Sequence, residues 1–165
     1  MQIRRWDPTD GVSPVTALLH RAYADLAAMG LRYVASHQDD EVTRQRLLKD
    51  VSWVAEEEGA VVGTIALCPW TALCEPAEAY RRPGLWLFHQ FGVDPAWQRR
   101  GIGLALLAAA EDHARAAGAR ELGCDTAVGA VHLVKLYRRL GFEIVGEADF
   151  PCTNYRSYIF AKPLG

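Results

Sequence analysis

The chain has 165 residues, half of them apolar and 23% charged, with a formal net charge of -2, which suits one domain spanning 1–165 and offers no electrostatic footprint for nucleic acid. Its four cysteines form no C-x-x-C pair, so reduced thiols are expected and no metal site is. The longest apolar run, Gly101 to Ala110, is about half of a membrane span, and no apolar stretch follows the basic residues of "MQIRRWDPTDG", so a cytoplasmic protein with no membrane partner is expected.

In chain order, "MQIRRW" reads as a first strand ended by Asp7-Pro8. Ser13 can cap and Pro14 can open a helix that carries Leu18, Leu19, Ala22 and Leu26 on one face and stops at Gly30. A second amphipathic helix covers "DDEVTRQRLLKD", acids first and Lys49 near its end. "SWVA" and "AVVGTIALC" form a hairpin around the acidic turn Glu56 to Gly59. From Pro69 to Gly84 the prolines and mixed polarity predict a surface loop of about sixteen residues, long enough to suggest a function.

"LWLFHQFGV" is nearly continuously apolar and reads as a central strand. A helix from near Arg100 to Ala117 follows, then the strand "ELGCDT". A further helix ending at Gly141 has Leu133, Leu136, Tyr137 and Leu140 on one face. Strands around "FEIVGEADF" and "YRSYIFAK" close the chain. The fold class is α/β (α+β), a mixed central sheet flanked by helices, in the order β-α-α-β-β-β-α-β-α-β-β.

The stretch "FGVDPAWQRRGIGLALL" joins the central strand to its helix through spaced glycines. A helix start has backbone N–H groups without intrahelical partners and a positive dipole end, and Gly101 and Gly103 would let an anion approach, with Arg99 and Arg100 beside it. A dinucleotide fold has Asp125 in its favour as a ribose ligand, but Leu106 stands where a third glycine belongs. No Gly-Lys-Ser/Thr follows, so a Walker loop is excluded. Glycines that merely allow close helix packing remain the plain alternative.

Two motifs together separate these readings. From Leu85 to Phe142 the chain resembles the acyl-CoA-dependent N-acyltransferases of the GNAT superfamily. "QRRGIG" matches that family's Q/R-x-x-G-x-G/A motif, and "LYRRLGF" its helix-ending LY..LGF. The resemblance implies acetyl-CoA as co-substrate and a small-molecule amine as acceptor: an amine, amino acid, amino sugar or antibiotic. Homodimerisation is also compatible with it. It assigns the pyrophosphate to backbone amides of Gln98, Arg99, Arg100, Gly101, Ile102, Gly103, Leu104 and Ala105, and the pantetheine arm to Phe91 and Val93, with Gly92 suited to a strand bulge.

Direct attack of an amine on a thioester needs a base, a donor for the developing oxyanion and an acid for the leaving thiolate. Tyr137 matches the family's tyrosine near the sulfur and takes the acid role. Strand alternation would turn His89 to the face of Phe91, which makes it a candidate base beside Glu75, Glu78 and a water relay. The family's asparagine and alanine before the tyrosine are replaced by Ala130 and Leu133, while "CDT" resembles the subset with Asp-Thr after this strand. The alternative function is a non-catalytic acyl-CoA-binding or sensing module on the same fold; a structural protein without cofactor is a third class.

Overall fold

A computed structural model describes residues 1–165. Seven strands form one mixed sheet, β1 (Gln2–Arg5), β2 (Val51–Glu57), β3 (Ala60–Pro69), β4 (Leu85–Val93), β5 (Glu121–Ala127), β6 (Glu143–Asp149) and β7 (Arg156–Pro163), in spatial order β1-β2-β3-β4-β5-β7-β6. All neighbours are antiparallel except β4 and β5. The helices are α1 (Ser13–Ala22), α2 (Ala24–Ala28), α3 (Asp40–Lys49), α4 (Ile102–Ala116) and α5 (Val131–Arg139).

The predicted order is observed with one difference. The first helix breaks at Tyr23, whose N–H still reaches Leu19 O at 3.0 Å, and a short α2 carries the chain on. Ser13 does not cap it; Val12 occupies the cap and the Ser13 hydroxyl donates instead to Asp40 at the start of α3. Asp39 caps α3, accepting from Val42 N at 2.9 Å. The β2–β3 turn puts Glu58 (φ 51) and Gly59 (φ 78) in left-handed conformations, whose twist matches that of the strands they join.

The sheet divides the apolar side chains between two faces. On one, α4 and α5 cover Ile65, Leu67, Phe88, Leu122 and Phe160, and Leu106 of α4 completes this largest core cluster. On the other, Val15 and Leu19 of α1 and Leu47 of α3 pack on Val54 of β2. The Pro69 to Gly84 segment is folded by two short 3-10 turns and seats Tyr80 on Leu85, Leu87 and Ile159.

Two departures from regular pairing open the sheet at its centre. β4 and β5 pair only from Leu85 opposite Glu121 to Leu87 opposite Gly123, and beyond that they diverge. In β4 the partner of Thr64 is Gly92 and that of Ala66 is His89, so Gln90 and Phe91 together face Ile65. The bulged residue with left-handed backbone is Gln90 (φ 49), not Gly92. Gly92 serves a different need: a Cβ there would stand 2.9 Å from Cβ of Ala22, so its bareness lets α1 lie close on β4.

Candidate active site

A cavity of about 1010 Å³ runs through the gap between β4 and β5 and reaches both faces of the sheet. At its α4 side stands the glycine turn. Gly101 (φ 81) precedes the first turn of α4, and Arg99 (φ 62) is also left-handed. The chain therefore curls so that the amides of Ile102, Gly103 and Leu104, which have no acceptor within the helix, face outward. Nothing lies within 4 Å of a Cβ built on Gly101, so an open cradle is present there. Gln98, Arg99, Arg100 and Leu104 are exposed, and Arg100 lies over the Trp97 ring at 4.6 Å. These features fit a pyrophosphate: unpaired amides, a positive dipole end and two cations without carboxylate partners.

Phe91 and Val93 turn toward this same side, within 3.5 and 3.6 Å of a Cβ placed on Gly103. The stretch of β4 left without a partner on its β5 side thus leads from the turn into the gap. Tyr137 of α5 lines the gap, packed among Phe88, Phe142 and Phe160 at ring separations of 5.9, 5.9 and 5.5 Å. Its hydroxyl makes no hydrogen bond within the chain, yet it is not sealed off. Burial pushes its ionisation well above the usual phenol range, so it carries its proton at neutral pH.

The opposite side of the gap is polar. The bulge at Gln90 interrupts alternation, so His89 does not share a face with Phe91; it points toward α3. There its Nε2–H donates to Asp50 Oδ2 at 2.6 Å, and its Nδ1 accepts from an Arg46 N–H at 3.0 Å. Arg46 can only donate, which fixes that tautomer. Burial, with Arg46 adding to it, lowers the pKa of His89, although the bond to Asp50 works the other way. Both nitrogens are engaged, and the imidazole is neutral.

Gln38 locks this arrangement. Its side-chain oxygen accepts from Arg46 at 2.7 Å, and its amide donates to Thr43 Oγ1 at 2.7 Å and to Gln90 Oε1 at 2.8 Å. The bulge is thereby tied to α3. Asp50, Cys68 and His89 bring three ligand-type atoms within 4.8 Å of one another. A cation would meet the Arg46 guanidinium there and a thiol that burial pushes up to about 12, so this chemistry suits a hydrogen-bonded cluster better than a metal.

Asp125 on β5 opens onto the cavity and accepts the Tyr80 hydroxyl proton in a short hydrogen bond. Its side chain is open to solvent within the cavity, and the walls crowded around it raise its pKa, against the lowering effect of Tyr80, His89 and Arg46. Of the other candidate bases, Glu75 is exposed at the cavity rim, whereas the Glu78 side chain is 91% exposed beside Arg81 and lies away from the cavity. Neither Arg46 nor the environment of Asp125 is evident from spacing, since each depends on elements distant in sequence.

Residues 16–142 match the model of the Acetyltransferase (GNAT) family. The chain belongs to that family. It is an acyl-CoA N-acyltransferase by that membership, and its relatives agree. It is 30% identical over 132 residues to the S-(2-succino)cysteine N-acetyltransferase of Bacillus subtilis, covering 78% of this chain and 76% of that one. It is 36% identical over 98 residues to human N-acetyltransferase 8, covering 59% of this chain but only 40% of the human protein. Among solved structures, yncA of Salmonella typhimurium with its cofactor acetyl-CoA superposes with a TM-score of 0.71 at 21% identity, over 100% of this chain and 94% of that one. At that identity the likeness establishes the fold, the mixed sheet and flanking helices of GNAT acetyltransferases. No helix is long and apolar enough to cross a membrane.

Proposed function

We propose that this enzyme transfers an acetyl group from acetyl-CoA to the primary amine of a small molecule, by direct attack across the gap between β4 and β5. The observation that carries the reading is the single cavity joining the open amide cradle at Gly101 to Tyr137 on one side and Asp125 on the other. The donor enters from the α4 side; the amine enters from the side of α1, α3 and the Pro69 to Gly84 segment. Four unbridged cysteines support a reducing, cytoplasmic setting.

When bound, acetyl-CoA supplies a thioester carbonyl at the gap. Asp125 takes a proton from the acceptor ammonium, directly or through water, and so frees the nitrogen lone pair. Backbone N–H groups beside the Gln90 bulge face the oxygen that gains negative charge. As the new N–C bond forms and the C–S bond breaks, Tyr137 gives its proton to the departing thiolate, and the second proton shed by the nitrogen passes through water to restore the Tyr137 hydroxyl. His89 is a weaker base candidate, because its only acceptor nitrogen is already engaged by Arg46.

The test is a screen of primary amines with acetyl-CoA, reading free thiol and the N-acetyl product by mass spectrometry. Acceptor-dependent thiol release supports transfer. Tight acetyl-CoA binding with no product across the panel would instead favour a binding or sensing module.

A further inference from the structure

The surface guanidinium groups of Arg4, Arg21, Arg82, Arg115 and Arg156 all pair with carboxylates, where water would have served them almost as well. Arg46 is the reverse. It lines the acceptor side of the cavity, partly buried, and pairs with no carboxylate. Its two hydrogen-bond partners within the chain, Gln38 Oε1 and His89 Nδ1, are neutral, and its Nε–H donates to nothing in the chain. Asp50 is nearby, but His89 stands between the two and takes its Oδ2. A partly buried guanidinium whose direct partners are neutral, and whose Nε–H opens on the cavity without a partner in the chain, is disposed to take an external anion.

Across the same cavity Asp125 offers the opposite charge. Arg46 and Asp125 both line that cavity and form no ion pair, and each favours the charged form of the other. A guanidinium and a carboxylate that line one cavity without pairing complement a zwitterion. Leu73, Tyr80, Phe150 and Tyr155 add an apolar and aromatic wall to the same side.

We propose that Arg46 binds the α-carboxylate of a free α-amino acid acceptor and so turns its amine toward Asp125 and the gap, the apolar wall receiving the side chain. This rests on the transferase reading and narrows its acceptor class; polycationic amines such as amino sugars are disfavoured by the same guanidinium. Arg46 acts in binding and takes no part in the proton transfers. Gln38 and His89 are the positioning residues that hold its fork.

The test uses the intact protein and three L-amino acids, phenylalanine, methionine and S-(2-succino)cysteine, each beside its α-carboxamide and its decarboxylated amine. Acetylation is followed with acetyl-CoA, and binding to the CoA-saturated protein is followed by calorimetry. The acids should exceed their amides and amines by about tenfold or more in kcat/KM, the worth of a charge-assisted contact. Arg46→Gln should erase that preference through acceptor KM, leaving the KM for acetyl-CoA unchanged, and Arg46→Lys should restore part of it. Equal use of acid, amide and amine by the unaltered protein overturns the anchor while keeping the transferase reading, and it does so even if the variants fail to fold. Selective binding of the acids without any turnover does the opposite. Failure of all three acids to bind also overturns the anchor.

Discussion

The Nδ1 atom of His89 accepts a hydrogen bond from Arg46 at 3.0 Å, while its Nε2–H is committed to Asp50 at 2.6 Å. A histidine so placed holds other groups in position, and a base role would require it to receive a proton next to a guanidinium. Replacing His89 with Gln preserves one acceptor and one donor. The expected result is a rise in acceptor KM with kcat lowered less than about tenfold and the acidic limb of the pH–rate profile retained. A base would lose about 100-fold or more in kcat together with that limb. Because the folded pKa of His89 is depressed, stability is held above its unfolded pKa and lost as pH falls toward the folded value; the Gln variant should lose less stability on acidification, as read by thermal melts.

Asp125 carries the opposite sign. The cavity walls around it raise its pKa although solvent reaches it, so a base at this position works only above that raised pKa. Asp125→Asn should lower kcat by about 100-fold or more and flatten the acidic limb of the rate profile. Stability should move the other way: a raised folded pKa means stability that is present at low pH and lost as pH rises through that pKa. The Asn variant should therefore melt higher than the parent at neutral pH, with the difference vanishing in acid. Tyr80 donates to this carboxylate and lowers its pKa, so Tyr80→Phe should shift the acidic limb to higher pH. An acidic limb retained in the Asn variant and unshifted in the Phe variant would remove Asp125 from the proton transfer.

Which parts were legible follows from how far each feature reaches along the chain. The glycine turn before α4 and the Leu136-Tyr137 pair on α5 are local: phosphate-competent amides and an apolar helical stripe each need only neighbours in sequence. The strands of the sheet were legible for the same reason, as apolar runs between turns. The bulge was foreseen at the wrong residue. Glycine tolerates a left-handed backbone most easily, which favours Gly92 on local grounds, but hydrogen bonding of Gln90 to Gln38 and the packing of Ala22 on Gly92 decide it from other elements. That shift by itself turned His89 away from the face expected of it. The Arg46, His89 and Asp50 chain joins α3 to β4, and Asp125 depends on Tyr80 from the Pro69 to Gly84 segment. No periodicity in a single sequence encodes such pairings.

Tyr137 can be tested by removing one atom. Its ring packs against Phe88, Phe142 and Phe160, and the phenylalanine variant keeps those contacts while deleting a hydroxyl that bonds to nothing in the chain. Tyr137→Phe should therefore leave the melting temperature unchanged or slightly higher. If the hydroxyl protonates the thiolate, kcat should fall by about 100-fold, with acetyl-CoA affinity within about threefold of the parent. The loss should be smaller for a thioester whose thiol is more acidic, because a better leaving group needs less protonation. Unchanged turnover would leave Tyr137 as a core residue at the edge of the cavity.

Gly101 separates a conformational demand from a steric one. Its φ of 81 lies where side chains are strained, yet a Cβ there would touch nothing within 4 Å. Gly101→Ala should destabilise the fold by about 1 kcal/mol through the left-handed backbone alone. The open space that makes the substitution sterically mild in the free protein is the space assigned to the pyrophosphate. Acetyl-CoA should therefore bind about tenfold or more weakly, beyond the effect on stability, because an added methyl and a shifted turn both disturb the amides of Ile102 to Leu104. Gly103 makes the comparison internal, since its backbone is not left-handed and a Cβ would sit 3.5 Å from the Phe91 ring. Gly103→Ala should melt near the parent and still weaken acetyl-CoA. Calorimetric titration of CoA into both variants decides the matter: if both bind as the parent does, the turn serves only helix packing and the donor lies elsewhere.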